Sequence, residues 1–155
     1  PTGVDSALQR AHKAVDERLP DRSQQAVLGS LDDQGLREIV DRYVDAFERA
    51  DVDAVVEMLA ADGAFTMPPL PTWYRGREAV AAFLKGHVLA TENRWRLVPA
   101  RANGQLAFGN YRWDEEWQSF LPRSISVLTL GREGIAEITT FDATLFPEFG
   151  LPPTL

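Results

Sequence analysis

Asp142, Tyr43, His87 and Asn110 are the polar residues of this sequence whose surroundings could give them chemical work. Asp142 directly follows an apolar run ending in Phe141, and Tyr43 falls on the apolar stripe of a helical pattern. An acid or phenol held against an apolar wall has its pKa moved by desolvation, which is how a weak group becomes a general acid or base. A buried tyrosine hydroxyl can also donate to an oxyanion. Each residue has a plainer structural role as well. Asp142 fits a turn at a strand end. Tyr43 fits a core aromatic with its hydroxyl at the rim. His87 follows Gly86 at an expected helix end, where the helix dipole favours it. If the chain is an enzyme, Asp142 and Tyr43 are the catalytic candidates; a non-catalytic role is the reading the sequence favours.

Other chemistries find little support. Cysteine is absent, which removes disulfides, thiol nucleophiles and thiolate metal sites. The two histidines, His12 and His87, are far apart, so no metal site is expected. Gly131 and Gly134 flank a turn with no helix after it, so they form no phosphate-binding loop, and no cofactor is expected. The aromatic residues are more suggestive. Pro68, Pro69 and Pro71 stiffen a segment that ends in Trp73 and Tyr74. Rigid segments carrying large aromatics often line pockets. Tyr43, Phe47, Met67, Trp73, Tyr74, Tyr111 and Trp113 are the expected lining of a pocket for a small apolar molecule. The competing readings are cross-strand packing, with Trp95 across a hairpin from Tyr111 and Trp113, and a protein or homodimer interface.

The elements that must hold these residues follow from periodicity. Val4, Leu8, Ala11 and Val15 predict a helix that Pro20 stops, with Arg10, His12, Lys13 and Arg18 making it locally basic. Residues 20–35 are polar and read as an irregular linker, with Val27, Leu28 and Leu31 docking on a neighbour. Leu36, Ile39, Val40, Tyr43 and Phe47 predict the best helix, capped by Asp32 or Asp33. Asp51 caps a second, running through Val52, Val55, Val56 and Leu59 and ended by Gly63. Ala64 to Met67 predicts a strand, and Gly76 opens a helix containing Val80, Phe83 and Leu84. From Trp95 the period changes to two. Asn103-Gly104 is a hairpin signal. The strand after it places Ala107, Gly109, Tyr111 and Trp113 on one face, and Leu106, Phe108, Asn110 and Arg112 on the other. Asp114 to Glu116 and Gly131 to Gly134 are turns, and Ile135 to Phe141 is the last strand. The tail with Phe146, Phe149 and Leu151 is expected to lie on the body. Helices first and a strand meander last make an α+β domain.

Size and charge set the outer bounds. A chain of 155 residues with 45% hydrophobic content holds one domain and a short appendage. There is no apolar run long enough for a transmembrane helix, and no membrane association is expected. The opening PTGVDSALQRAH lacks a signal-peptide pattern and reads as starting partway into something larger. A net charge of −7 opposes direct nucleic-acid binding.

The order of elements resembles the SnoaL-like branch of the cone-shaped, nuclear transport factor 2-like fold, with helices packed on a curved antiparallel sheet. The flanks sharpen the resemblance. VDSALQRAHKAVDERLP resembles the end of region four of an extracytoplasmic-function sigma factor, through Val4, Ser6, Ala7, Leu8, Arg10 and Ala11, with His12 where arginine is usual. The stretch from Gly35 to Leu84, with RANGQLAFGNY and FPEFGLP, resembles the SnoaL-like extension of one group of these factors. The resemblance implies a division into residues 1–19, the remnant of region four; 20–35, a linker; and 36–155, the SnoaL-like domain. It implies a cytoplasmic bacterial protein that modulates transcription in cis, with the sigma factor core domains and RNA polymerase as partners through the parent chain. Binding of a small apolar ligand is compatible with it. One helix of region four cannot form a helix-turn-helix, so this fragment is not expected to bind promoter DNA. The alternative is a polyketide cyclase or ketosteroid isomerase-type enzyme on an apolar substrate.

Overall fold

The computed structural model describes residues 24–155; the expected helix and region-four remnant over 1–19 lie outside the described residues. Helix α1 is Gln24–Gly29, where an irregular linker was expected. Val27, Leu28 and Leu31 pack on the main core, as their apolar character suggested. The side chain of Gln24 explains why the segment holds its place. The β4–β5 register ends at Leu128 on strand β5 (Ser119–Gly131), leaving Leu130 beyond it. Gln24 Oε1 accepts from Leu130 N at 2.8 Å, and Gln24 Nε2 donates to Leu130 O, so a side-chain amide takes the part of the missing strand.

Helix α2, Asp33–Glu48, starts where Asp32 accepts from Gly35 N at 2.7 Å. Helix α3, Val52–Glu57, is capped in the same way by Asp51. It ends earlier than expected. The chain passes directly into strand β1, Leu59–Thr66, and Gly63 lies inside that strand rather than ending the helix. The reason is contact: a Cβ on Gly63 would sit 3.0 Å from Ala60 O and 3.2 Å from Ile135 O. Trp73–Arg75 forms a short strand, β2, and Gly76 then opens helix α4, Arg77–Phe83, with a φ of 85°. A wide π-turn, Leu84–Val88, carries His87 past the expected helix end at Gly86.

Strands β3 (Trp95–Ala102), β4 (Gln105–Asp114), β5 and β6 (Gly134–Asp142) follow as an antiparallel meander, with Asn103 and Gly104 at positive φ in the predicted hairpin. The six-stranded sheet runs β2-β1-β6-β5-β4-β3. It is mixed rather than purely antiparallel, because β1 lies parallel to β6. The end of α3 makes this junction tight. Ile135 N donates to Met58 O at 2.8 Å, and Gly134 (φ 122°) leaves room where a Cβ would fall 2.5 Å from the same oxygen.

One face of the sheet packs on the helices around Tyr43, Phe47, Leu59, Phe108, Leu128 and Ile138. The opposite face is covered by the chain's own end. A 3-10 helix, Ala143–Phe149, lays Phe146 on Tyr111, Ile125 and Val127, followed by Leu151. Gly109 makes room for Leu151, whose Cδ1 would lie 2.7 Å from a Cβ there. Leu155 then pairs with Phe120 through both backbone bonds, at 3.0 and 3.1 Å. Edge strand β3 is tied to the helices by Glu48, whose carboxylate accepts from Leu97 N at 2.9 Å and from Arg96 at 3.0 Å.

Candidate functional site

Between the helices and the sheet lies a cavity of about 220 Å3. Its apolar wall is Phe47 from α2, Phe65 and Met67 from β1 and its end, Val88 from the π-turn, and Trp95 from β3. Its polar wall comes from the sheet. Asn110 and Arg112 follow Phe108 on the inward face of β4, by strand alternation. Ser126 of β5 pairs in register with Phe108 and with Thr140 of β6, and both hydroxyl residues line the cavity.

These groups form one network. Asn110 Nδ2 donates to Ser126 Oγ at 2.8 Å and to Ser124 Oγ at 3.0 Å, and Ser126 Oγ lies 3.1 Å from Thr140 Oγ1. Asn110 is only 2% exposed, yet its Oδ1 has no partner. The Tyr43 hydroxyl is also buried without a well-formed hydrogen bond. Burial pushes its pKa up, and nearby Ser126 opposes this in part, so the phenol stays neutral and available as a donor. Buried polar atoms without a protein partner call for one, and a water or a ligand group can supply it.

A bulge completes the mouth. Asn110 pairs with Ser124, but Tyr111 pairs with Pro122, so Arg123 is an extra residue on β5. Strict alternation would send Arg123 and Ser124 to opposite faces; the bulge lets both line the cavity. His87 closes the other side, its ring stacked on Phe83 at 5.5 Å. Arg112, Arg123 and His87 line the cavity, and among the described residues no carboxylate does.

Of the residues expected to line a pocket, Phe47 and Met67 do so. Tyr43 touches the network through Ser126. Tyr74 stacks on Phe83 at 4.3 Å, behind the apolar wall. Tyr111 and Trp113 are on the other face of the sheet, so they belong to no common pocket with Tyr43. The Tyr111 hydroxyl donates to Pro152 O at 2.8 Å, and Trp113 packs on Phe120 beneath the Arg94 guanidinium. Trp95 pairs with Arg112, one residue away from Trp113, and so faces inward. Trp73 is 61% exposed on the proline segment. Trp73→Ala is therefore expected to change folding stability by no more than about 0.5 kcal/mol in urea denaturation; a larger loss would mean that its ring packs more tightly than its exposure shows. Asp142 does not line the cavity. It is exposed and accepts from Thr144 N at 2.8 Å to cap the 3-10 helix. That bond first, then the Thr144 side chain, and least the charge of Arg123, lower its pKa and keep it ionised.

Asn110 and His87, named from the sequence, are both in the cavity wall. Ser124, Ser126, Thr140, Arg112 and Arg123 were missed as site residues. The signal for the serines was present: in SISVLTL they share a face with Leu128, so polar groups were being sent inward. The bulge at Arg123 left no such signal.

Comparison with known proteins agrees with this architecture. The chain is 32% identical over 154 residues, 98% of its length, to the C-terminal region of the ECF RNA polymerase sigma factor SigG of Mycobacterium tuberculosis, in strains CDC 1551 and H37Rv. It spans 40% of the length of those curated relatives. An NTF-2-like protein from Burkholderia xenovorans superposes with a TM-score of 0.54 at 14% identity, over 69% of this chain and 81% of that one. A protein with a cystatin-like fold from Methylobium petroleophilum gives 0.57 at 16%, over 73% and 78%. A protein with a ketosteroid isomerase-like fold from Catenulispora acidiphila, solved with trimethylamine, gives 0.50 at 16%, over 75% and 95%. At these identities the structures speak to the fold alone. Residues 40–144 match the SnoaL-like domain, and the chain, with its helices packed on a six-stranded mixed sheet, belongs to that family.

Proposed function

We propose that this chain is the C-terminal regulatory region of an extracytoplasmic-function sigma factor. In this reading residues 1–19 end the promoter-reading region, 20–35 connect it, and 36–155 form a SnoaL-like domain that modulates transcription in cis. The observation that carries it is the alignment with a sigma factor over 98% of this chain. Its partners are then the sigma core domains and RNA polymerase, reached through the parent chain in the cytoplasm. The net charge of −7 supports contact with protein rather than with DNA.

The docking of α1 on β5 supports a mechanical link. Whatever moves the connector must break or keep the paired bonds of Gln24 with Leu130. A small molecule in the cavity biases such a balance only if it binds one arrangement better than the other. The cyclase or isomerase reading is weaker because the described cavity wall offers His87, with the Tyr43 phenol behind it beside Ser126, but no carboxylate base. In the full-length parent, deletion of residues 36–155 is expected to change transcription from its target promoter at equal protein level. Unaltered output would count against regulation in cis.

A further inference from the structure

The cavity differs in chemistry from a container for a purely apolar molecule. Arg112 enters it from β4, Arg123 from the β5 bulge and His87 from the π-turn. The Arg112 side chain makes no hydrogen bond or ion pair among the described residues. Arg123 makes no side-chain hydrogen bond; its charge acts on Asp142, which is already engaged with Thr144 N. Arg49 is paired with Asp45 and Asp51, Arg75 with Asp62 and Arg96 with Glu48, whereas Arg37, Arg42 and Arg101 lack a side-chain partner among the described residues as Arg112 does; what sets Arg112 and Arg123 apart is their place in the wall of this cavity. An acidic protein has left its cavity mouth basic. Behind the arginines come the hydroxyls of Ser124, Ser126 and Thr140 and the unpartnered Asn110 Oδ1, and opposite them an aromatic and aliphatic wall.

We propose that this cavity binds a compact amphipathic anion, a small monocarboxylic acid with an aromatic or branched aliphatic body. The inference rests on the reading of the cavity as a ligand site. The carboxylate lies at the mouth between Arg112 and Arg123, where charge-assisted and bidentate hydrogen bonds are strongest. The body lies against Phe47, Phe65, Met67 and Trp95. Asn110 Oδ1 cannot accept from a carboxylate. It takes a hydroxyl or N–H of the ligand, or a water carried with it. Size limits the class: about 220 Å3 equals roughly seven waters at ~30 Å3 each, which admits a single ring or a short branched chain but no steroid.

The test is titration of the 155-residue chain with charged and neutral isosteres: benzoate against benzamide, and 3-methylbutanoate against 3-methylbutanamide. Calorimetry gives affinity, and amide shifts in NMR spectra give the location. The acids are expected to bind at least tenfold tighter than the amides and to shift Asn110, Ser126 and Thr140. Arg112→Gln and Arg123→Gln are expected each to weaken benzoate at least fivefold with an unchanged Tm, and Arg112→Lys to retain more affinity than Arg112→Gln. Acid and amide binding equally well in the cavity would overturn the anion preference while leaving a ligand site. No binding by any probe at millimolar concentration would overturn both. Neither result touches regulation in cis, which the deletion tests separately.

Discussion

Tyr43→Ala is expected to cost about 3–5 kcal/mol of folding stability, whereas Tyr43→Phe is expected to cost nothing or to stabilise by about 1 kcal/mol. The first expectation follows from packing. Tyr43 is fully buried, its ring centroid 4.9 Å from that of Phe108 and 5.8 Å from that of Phe47, so truncation opens a cavity where α2 meets the sheet. The second follows from the hydroxyl, which is buried without a partner and gives little back for its lost hydration. Urea unfolding of both variants checks the pair. A Tyr43→Phe variant less stable than wild type by more than about 1 kcal/mol would show that the hydroxyl bonds Ser126 well enough to hold the fold. A stable Phe variant with altered ligand response would instead place the hydroxyl in service of the cavity.

Removal of the tail after Asp142 should have an effect of similar size by another route. Phe146 and Leu151 are buried on the sheet face opposite the helices, and the cost of exposing two such side chains is roughly 3–6 kcal/mol. The truncation also frees the Tyr111 hydroxyl from Pro152 and uncovers Ile125 and Val127. The protein without its tail is expected to unfold at lower urea and to self-associate through that face in size-exclusion chromatography with light scattering. A truncated chain that stayed monomeric and as stable as the intact one would mean that the tail is an ornament. The intact chain covers this apolar face itself. Phe146→Ala, a milder change, gives the same direction with the backbone pairing of Leu155 and Phe120 left in place.

Local patterns were enough for most of the architecture. The stripe from Leu36 to Phe47, the caps at Asp32 and Asp51, the Asn103-Gly104 turn and the alternation along β4 are all short-range signals, because helix and strand periods and turn chemistry act over a few residues. The alternation even separated Tyr111 from Asn110. That alternation puts Tyr111 and Trp113 on the face away from the cavity, whatever their aromatic character suggests. The end of α3 could not be read locally: Gly63 looks like a helix stop, but the neighbouring strand β6 takes the backbone at Leu59 first. Nor could α1, whose short polar segment is ordered by a side-chain amide reaching a residue 106 positions away.

The amino-acid sequence by itself determined the class of the domain, the inward and outward faces of its strands, and the presence of Asn110 and His87 near a cavity. Only the tertiary structure decided which groups share that cavity. Phe47, Met67, Asn110, Arg123 and Thr140 come from four elements and the end of β1, and one bulged residue sets the direction of Arg123. The physical reason is that side-chain direction in a strand is local until the ladder is broken. A bulge depends on the register between two strands, and that register is settled only when both have packed.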